Sequence, residues 1–392
     1  MKKFFVFIIL FLLFSLNIKA IDVNSKYAIV YNLNDDNIIY EKNSNEKSSI
    51  ASLTKIMTTI ISLENVSNLD DTVTVTYKDL SGLNGYAVAG FKAGDKVTYN
   101  DLIYALMLPS GADAGQTLAN NIAGSIEEFA NLMNKKASEI GMTNTHFSNP
   151  IGKDEDNYST ANDMALLLKY AIKNEKFKDV FNKDEYTTTN NIKLTKTTNS
   201  VAKKYGIDIS SLTGSKTGFT NEANYCLAST STLNNVNYLV ITLNAEKLPN
   251  HITDTMDLYN YFDSNYSYKE ILKKKQLLKT IKVKESKTKE CNIYSNKSIK
   301  KYLSNDVDIN KIKYEYKGVE VLNRKIKKGD YLGKVKIIYD NNTLDTYKVY
   351  LDKDIKYYNY FLLLIPLGII VLLVIIIKAK LKKKKHKKSR RK

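Results

Sequence analysis

Three short stretches of this chain carry residue types that could do chemistry together. The first is Ser52-Leu53-Thr54-Lys55. On a helix, positions three apart share a face, so Lys55 is expected beside the Ser52 hydroxyl. A serine hydroxyl is a weak nucleophile until a base takes its proton. A lysine amine becomes that base when burial or a nearby cation lowers its pKa. A helix start would also lend Ser52 a positive local field. The second stretch is Ser110-Gly111-Ala112 after Pro109, which alone reads as a turn. The third is Lys216-Thr217-Gly218 on a predicted strand, where the glycine permits close approach of a ligand. Lys216 and Thr217 offer a cation and a hydroxyl that could hold a carboxylate. Each stretch alone is weak, because capped helices with solvated lysines and exposed strand lysines are common. Their occurrence together and in this order is specific.

The elements that must position these residues follow from hydrophobic spacing. Leu53, Ile56, Met57, Ile60 and Ile61 mark one face of a helix over Ser52–Leu63. Asn100–Leu108 continues a helical pattern up to Pro109. Ser125 with Glu128 predicts a capping box, then a helix burying Phe129, Leu132, Met133 and Ala137 and ending at Gly141. Ser159 or Thr160 caps a further helix with Met164, Leu167, Leu168, Ala171 and Ile172 inside. Strand-like runs open the body at Tyr27–Tyr31 and Asn37–Tyr40, turning at Asn34–Asp36. Others follow at Tyr225–Ser231 and Val236–Leu243. Helices between strand pairs predict an α+β domain on an antiparallel sheet over residues 21–272. From 273 to 356 short alternating runs predict a small all-β domain, with Gly329 and Gly333 at turns. They carry Ile281, Val283, Val319, Val321, Val335, Ile337, Val349 and Leu351.

Charge and hydropathy at the two ends bear on location. The formal net charge is +18 over 392 residues. Eleven Lys or Arg lie in Lys378–Lys392, and three Lys lie in residues 1–20. Setting these aside leaves 45 basic residues against 41 acidic, so the body lacks the basic footprint of a nucleic-acid binder. Residues 1–20 read as a signal peptide, with Lys2 and Lys3 before the apolar run Phe4–Leu16 and Ala20 before the cut. Ile18 fits poorly in such a site, and an uncleaved anchor is the alternative. Tyr358–Ile377 is twenty uncharged residues, enough for a helix about 30 Å long, the thickness of a hydrocarbon core. Tyr357, Tyr358 and Tyr360 suit the interface, and the basic tail 379–392 predicts a cytoplasmic end. The catalytic part is thus expected outside a cell membrane crossed once, by a transmembrane helix over 357–378. Two Cys and three His, scattered, predict no metal and no cofactor. Cys226 and Cys291 could pair, though nothing in the sequence requires it.

The triplet S-x-x-K, S-x-N and K-T-G is known from class A β-lactamases and penicillin-binding proteins. The surrounding text resembles one branch, the low-molecular-mass D-alanyl-D-alanine carboxypeptidases. It includes Ala51–Thr58, Lys92–Thr98, Pro109–Ala114, Phe147–Pro150, Tyr158–Ala161 and Gly214–Thr220, together covering about residues 25–260. Lys327–Gly333 is similar to the β-domain that follows in the family. The resemblance implies a β-lactamase/transpeptidase-like catalytic domain, then the all-β domain and the membrane helix. It implies Ser52 as nucleophile, Lys55 as base and Ser110 as proton relay. Lys216 and Thr217, with Gly218 and Phe219 beside them, would bind substrate. The oxyanion hole would be the N–H groups of Ser52 and Phe219. The implied partners are peptidoglycan stem peptides and, as covalent inhibitors, β-lactams.

Two departures stand out. Ala112 replaces the family's usual Asn, which would bond to the substrate amide and to Lys55. Restoring Asn is expected to be tolerated, unless neighbours have closed around the smaller side chain. No Arg occurs from 21 to 323, so Lys216 is left nearly alone to meet a carboxylate. Ala112 motivates the alternative of a wall-binding protein with impaired catalysis. A β-lactamase needs a deacylating Glu between the second and third motifs. The nearest candidate, Glu246-Lys247-Leu248-Pro249-Asn250, follows Lys216.

Overall fold

A computed structural model describes residues 21–153 and 156–389. The expected signal peptide, residues 1–20, and the last three residues of the basic tail lie outside the described residues. The chain divides into two compact units between Ser264 and Asn265. The sequence reading put this boundary at 272/273. The strand Tyr266–Leu272 pairs with Ile299–Ser304 and so belongs to the second unit. The preceding helix runs directly into that strand, ending in the turn-type residues Asp263-Ser264-Asn265.

The first unit is built on a five-stranded antiparallel sheet. Its order is Asn37–Lys42, Tyr27–Asn32, Val236–Ala245, Asn224–Leu233 and Leu212–Thr220. Leu239, Ile241 and Leu243 on one face join the main core, while Tyr238 and Thr242 on the other meet the long C-terminal helix of the unit. Alternation along a strand sends neighbours to opposite faces, and here both faces are covered. That is why Ala28–Tyr31 and Tyr238–Ile241 read as unbroken apolar runs, whereas Asn224–Leu233 buries Ser229, Thr230 and Ser231.

The core helices are α1 (Thr54–Asn65), α2 (Tyr99–Met107), α3 (Ala112–Ala123), α4 (Ile126–Ile140), α5 (Ala161–Ala171), α6 (Glu175–Asn182) and α7 (Thr197–Tyr205). The helix α8 (Asn250–Asn265) covers the other face of the sheet. Helix α1 lies at the centre, buried nearly all round, with Ile56, Met57, Ile60 and Ile61, and Leu53 just before it, in the core. Its buried hydroxyls are satisfied locally: Thr59 and Ser62 donate to carbonyls one turn back, at Lys55 and Thr58. Thr98 caps α2 through a full capping box with Asp101. Ser125 Oγ accepts the Glu128 N–H at the start of α4, while the Glu128 carboxylate turns to Asn131. Gly141 ends that helix in the left-handed conformation, and Thr160 caps α5.

The second unit is all-β up to residue 357 and ends in the helix α9 (Phe361–Ser389). Ile281, Val283, Val335, Ile337, Val349 and Leu351 form its core with Cys291 and Ile293. Gly333 is not a turn residue. It sits inside the strand Tyr331–Tyr339 at a register shift, where a Cβ would lie 2.4 Å from the Lys317 carbonyl. Cys226 and Cys291 are both free and buried. The apolar stretch of α9 long enough to cross a membrane is Leu364–Lys383, shifted past the expected 358–377.

Candidate active site

Ser52 sits in the short 3-10 turn Ala51–Leu53 that leads into α1. The expected helix start at Ser52 is thus two residues early. Ala51 holds a left-handed φ of 46°, a conformation costly for a residue with a side chain. Lys55, in the first turn of α1, is 2 % exposed. Its Nζ donates to Ser52 Oγ at 2.8 Å and to the Ile151 carbonyl at 2.9 Å. Burial pushes its pKa down to about 7, against an opposing pull from Asp113. A lysine poised there can take a proton near neutral pH.

The Ile151 carbonyl is held by a turn whose sequence offers its own acceptors. Asn149 Oδ1 accepts the N–H groups of Ile151, Gly152 and Lys153. Asn157 accepts the N–H of Ser148 and donates to the Asn149 carbonyl and to Thr54 Oγ1. Thr58 Oγ1 donates to the Pro150 carbonyl at 2.6 Å. The stretch Phe147–Pro150 therefore fastens the turn to α1, directly behind the Ser52–Lys55 pair. Gly152, at φ +74°, is obligatory, since a Cβ there would sit 1.9 Å from the Ala51 carbonyl.

Ser110 lies between α2 and α3, also at positive φ (67°). Its Oγ accepts from Lys216 Nζ at 2.9 Å, and the same amine donates to the Thr217 carbonyl at 2.8 Å. Lys216 is 1 % exposed and does not line the cleft; it stands behind Ser110. Burial, and then the charge of Lys55, hold its pKa well below the ordinary lysine value. The strand Leu212–Thr220 is the sheet edge facing the nucleophile turn. A Cβ on Gly218 would lie 3.1 Å from both the Ile50 carbonyl and the Ser52 nitrogen, so glycine sets this spacing. Phe219 is half exposed and stacks on Tyr225 at 4.4 Å.

Position 112 and its neighbour have separate duties. Ala112 is fully buried in a small apolar cluster with Leu83, Ile151 and the partly buried Tyr86. Asp113 is buried too, and its carboxylate accepts the N–H groups of Ala89, Gly90 and Phe91. It clamps the loop whose preceding residues, Asn84–Ala87, form one wall of the cleft.

The cleft measures about 780 Å³. It brings together Ser52, Lys55, Ser110, Thr217, Gly218 and Phe219, six of the seven residues singled out in the sequence. The sequence reading missed His251, which lines the same cleft from α8. His251 is 1 % exposed, its ring stacks under Tyr225, and its Nδ1 has no hydrogen-bond partner among the described residues. Burial lowers its pKa to about 4, so the ring is neutral at pH 7. No motif surrounds it, and only the fold brings it near Ser52. Among the described residues no cluster of His, Cys, Asp or Glu could hold a metal.

Two family models match this chain. Residues 15–247 match the family model described as D-alanyl-D-alanine carboxypeptidase. Residues 266–357 match the model for the C-terminal domain of penicillin-binding protein 5. The D-alanyl-D-alanine carboxypeptidase DacF of Bacillus subtilis is 30% identical over 343 residues, 85% of this chain and 86% of the relative. The crystal structure of the carboxypeptidase DacD from Francisella tularensis superposes with a TM-score of 0.68 over 86% of this chain and 95% of that one. Its 23% identity makes it evidence for the fold. The Streptomyces K15 DD-transpeptidase, 31% identical, covers 61% of this chain and 97% of its own, with a TM-score of 0.56.

Proposed function

The chain belongs to the D-alanyl-D-alanine carboxypeptidase family of serine-type enzymes, and from that premise we propose how its own residues divide the work. The substrate is a peptidoglycan stem peptide ending in D-Ala-D-Ala. Ser52 Oγ attacks the carbonyl carbon of the penultimate D-Ala while its proton passes to neutral Lys55. The carbonyl π pair moves onto oxygen, and the N–H groups of Ser52 and Phe219 stabilise that oxyanion. Each such donor typically contributes about 3–4 kcal/mol. The C–N bond then breaks, and the leaving nitrogen takes a proton relayed through Ser110. D-Ala departs, leaving an ester on Ser52. Water attacks the ester, Ser52 regains its proton, and the shortened peptide is released.

The observation that carries this reading is the 2.8 Å contact between Lys55 Nζ and Ser52 Oγ inside a cleft that also holds Ser110. Thr217 holds the substrate carboxylate with help from Lys216. The arriving anion favours the charged form of that buried amine, reversing the depression that burial imposes. Ala112 does not argue for a catalytically impaired binder, because Ile151 supplies Lys55 with an acceptor.

A β-lactam, an acylating agent held in the same cleft, forms the ester on Ser52. The helix α9 anchors the enzyme in the cell membrane, with the basic tail inside and the catalytic unit outside. The stretch Leu364–Lys383, none of it buried, and the lysines from Lys378 onward support that topology. Protease added to sealed cells leaves an epitope after Lys392 intact; its digestion reverses the topology.

The roles are tested by labelling the detergent-solubilised full chain with fluorescent penicillin. Wild type labels covalently, and Ser52→Ala neither labels nor releases D-Ala. Labelling retained in this variant assigns the nucleophile elsewhere.

A further inference from the structure

The β-domain presents a face with no role in the cleft. Its three-stranded antiparallel sheet consists of Lys313–Gly318, Tyr331–Tyr339 and Asn342–Tyr350. Val335, Ile337, Tyr347 and Val349 point into the core. The alternate positions point outward. Cross-strand register places Lys317 opposite Lys334 and Lys334 opposite Lys348, so three lysines form one row across the sheet. Lys336 lies in the next row beside Glu315, and Lys313 flanks Ile338. Tyr331 and Tyr350, 53% and 48% exposed, pair edge to face at one end. The one acidic residue among these outward positions, Glu315, pairs with Lys317 at 3.4 Å. No ion pair within the described residues engages Lys334, Lys336 or Lys348.

Like charges directly opposite across a sheet destabilise it. Neighbouring strands are about 4.8 Å apart, well inside the screening length in physiological salt. The row is therefore a cost to the fold that an anionic partner would relieve. Aromatic residues with polar tips beside lysines suit a membrane interface, where one end is apolar and the other wet.

The tether says which anion is at hand. The chain leaving this sheet stays pinned to the β-domain: Ser286 Oγ donates to the Lys356 carbonyl, and the Tyr358 N–H donates to the Glu285 carbonyl. The Arg324 guanidinium lies 4.8 Å from the Tyr360 ring centre. Helix α9 begins at Phe361. Only Asn359 and Tyr360 separate the pinned Tyr358 from α9, and two residues reach at most about 7 Å. A β-domain on so short a tether remains at the bilayer surface.

We propose that this lysine–tyrosine face docks on the anionic phosphate headgroups of the bilayer that holds α9, and so holds the β-domain down on the membrane. The proposal rests on the reading of α9 as a membrane span. Headgroup contact neutralises the lysine row, and the two tyrosines enter the interfacial layer.

The test uses the full chain reconstituted in vesicles of phosphatidylcholine alone or with a third phosphatidylglycerol. Resistance to alkaline extraction from both vesicles checks the span itself, independently of lipid charge. Acylation of surface amines, read by peptide mass, then reports on the face. Lys334, Lys336 and Lys348 should react about fivefold more slowly in the anionic vesicles than in the neutral ones. High salt should abolish the difference. In K317Q/K334Q/K348Q the protection of Lys313 and Lys336 should disappear, while unchanged circular dichroism and resistance to limited proteolysis confirm that its β-domain is folded. Equal reactivity in both vesicles, with α9 inserted, overturns the proposal. So does protection by a soluble glycerol-phosphate polymer without protection by lipid, which assigns the face to a wall polymer. Extraction of the protein from both vesicles overturns the membrane span, and the docking proposal with it.

Discussion

The side-chain nitrogen of Lys55 meets the backbone carbonyl of Ile151, 96 residues further along the chain, at 2.9 Å. This bond aims the amine at Ser52 Oγ without help from position 112. It also buries the amine, and burial makes Lys55 a base near neutral pH.

The pH dependence of acylation follows from that burial. An ordinary lysine holds its proton until about pH 10.4, whereas Lys55 gives it up near pH 7. Above pH 7 the amine is neutral and accepts the Ser52 proton; below it the amine is charged and cannot. The second-order rate of penicillin acylation should therefore be level above about pH 7.5. It should fall about tenfold per pH unit well below 7. A rate flat down to pH 5.5 removes Lys55 as the base.

Asp113 is the carboxylate that raises the Lys55 pKa against burial. Asp113→Asn removes that negative charge, so the acid limb of the acylation profile should move to lower pH. The amide cannot accept all the N–H groups that the carboxylate accepts from Ala89, Gly90 and Phe91. The loop over the cleft should then loosen, and KM should rise. A rise in KM with an unmoved acid limb denies the electrostatic link to Lys55.

Ala112→Asn tests the apolar cluster. The added amide must enter a space closed by Leu83 and Ile151. Overpacking of this kind costs about 1–3 kcal/mol. The melting temperature of the catalytic unit should fall by several degrees, since about 1 kcal/mol shifts a unit of this size by roughly 2–4 °C. Turnover of a D-Ala-D-Ala peptide should not improve. Raised kcat/KM at unchanged melting temperature shows that the position still accepts the residue usual in the family.

Gly218→Ala tests the spacing of sheet edge and nucleophile turn. The new methyl meets the Ile50 carbonyl and the Ser52 nitrogen at 3.1 Å, so one side must yield by a few tenths of an ångström. Misalignment of the oxyanion donors should lower kcat by roughly tenfold or more, with KM changed less. Unaltered kcat means that the turn adjusts freely and that its geometry is not set by Gly218.

What the sequence determined by itself is local. Hydrophobic spacing marks α1, α4 and α5 because a helix repeats every 3.6 residues, and the N-caps of α4 and α5 are short-range hydrogen bonds within four residues. The three motifs are legible because each keeps its reactive groups within one turn or one strand. The all-β character of the second unit is equally local, resting on alternation. The boundary falls at residue 265 and not at 272 because Tyr266–Leu272 pairs with Ile299–Ser304, a partnership between chain-distant segments. Tertiary structure alone decided the rest. It set Lys216 behind Ser110, closed Leu83 and Ile151 around Ala112, and turned Asp113 to the cleft loop. It also brought His251 under Tyr225. Each of these contacts joins residues more than twenty positions apart. Chain-distant contacts arise only when helices and sheet pack together, and no local pattern of residue types encodes them.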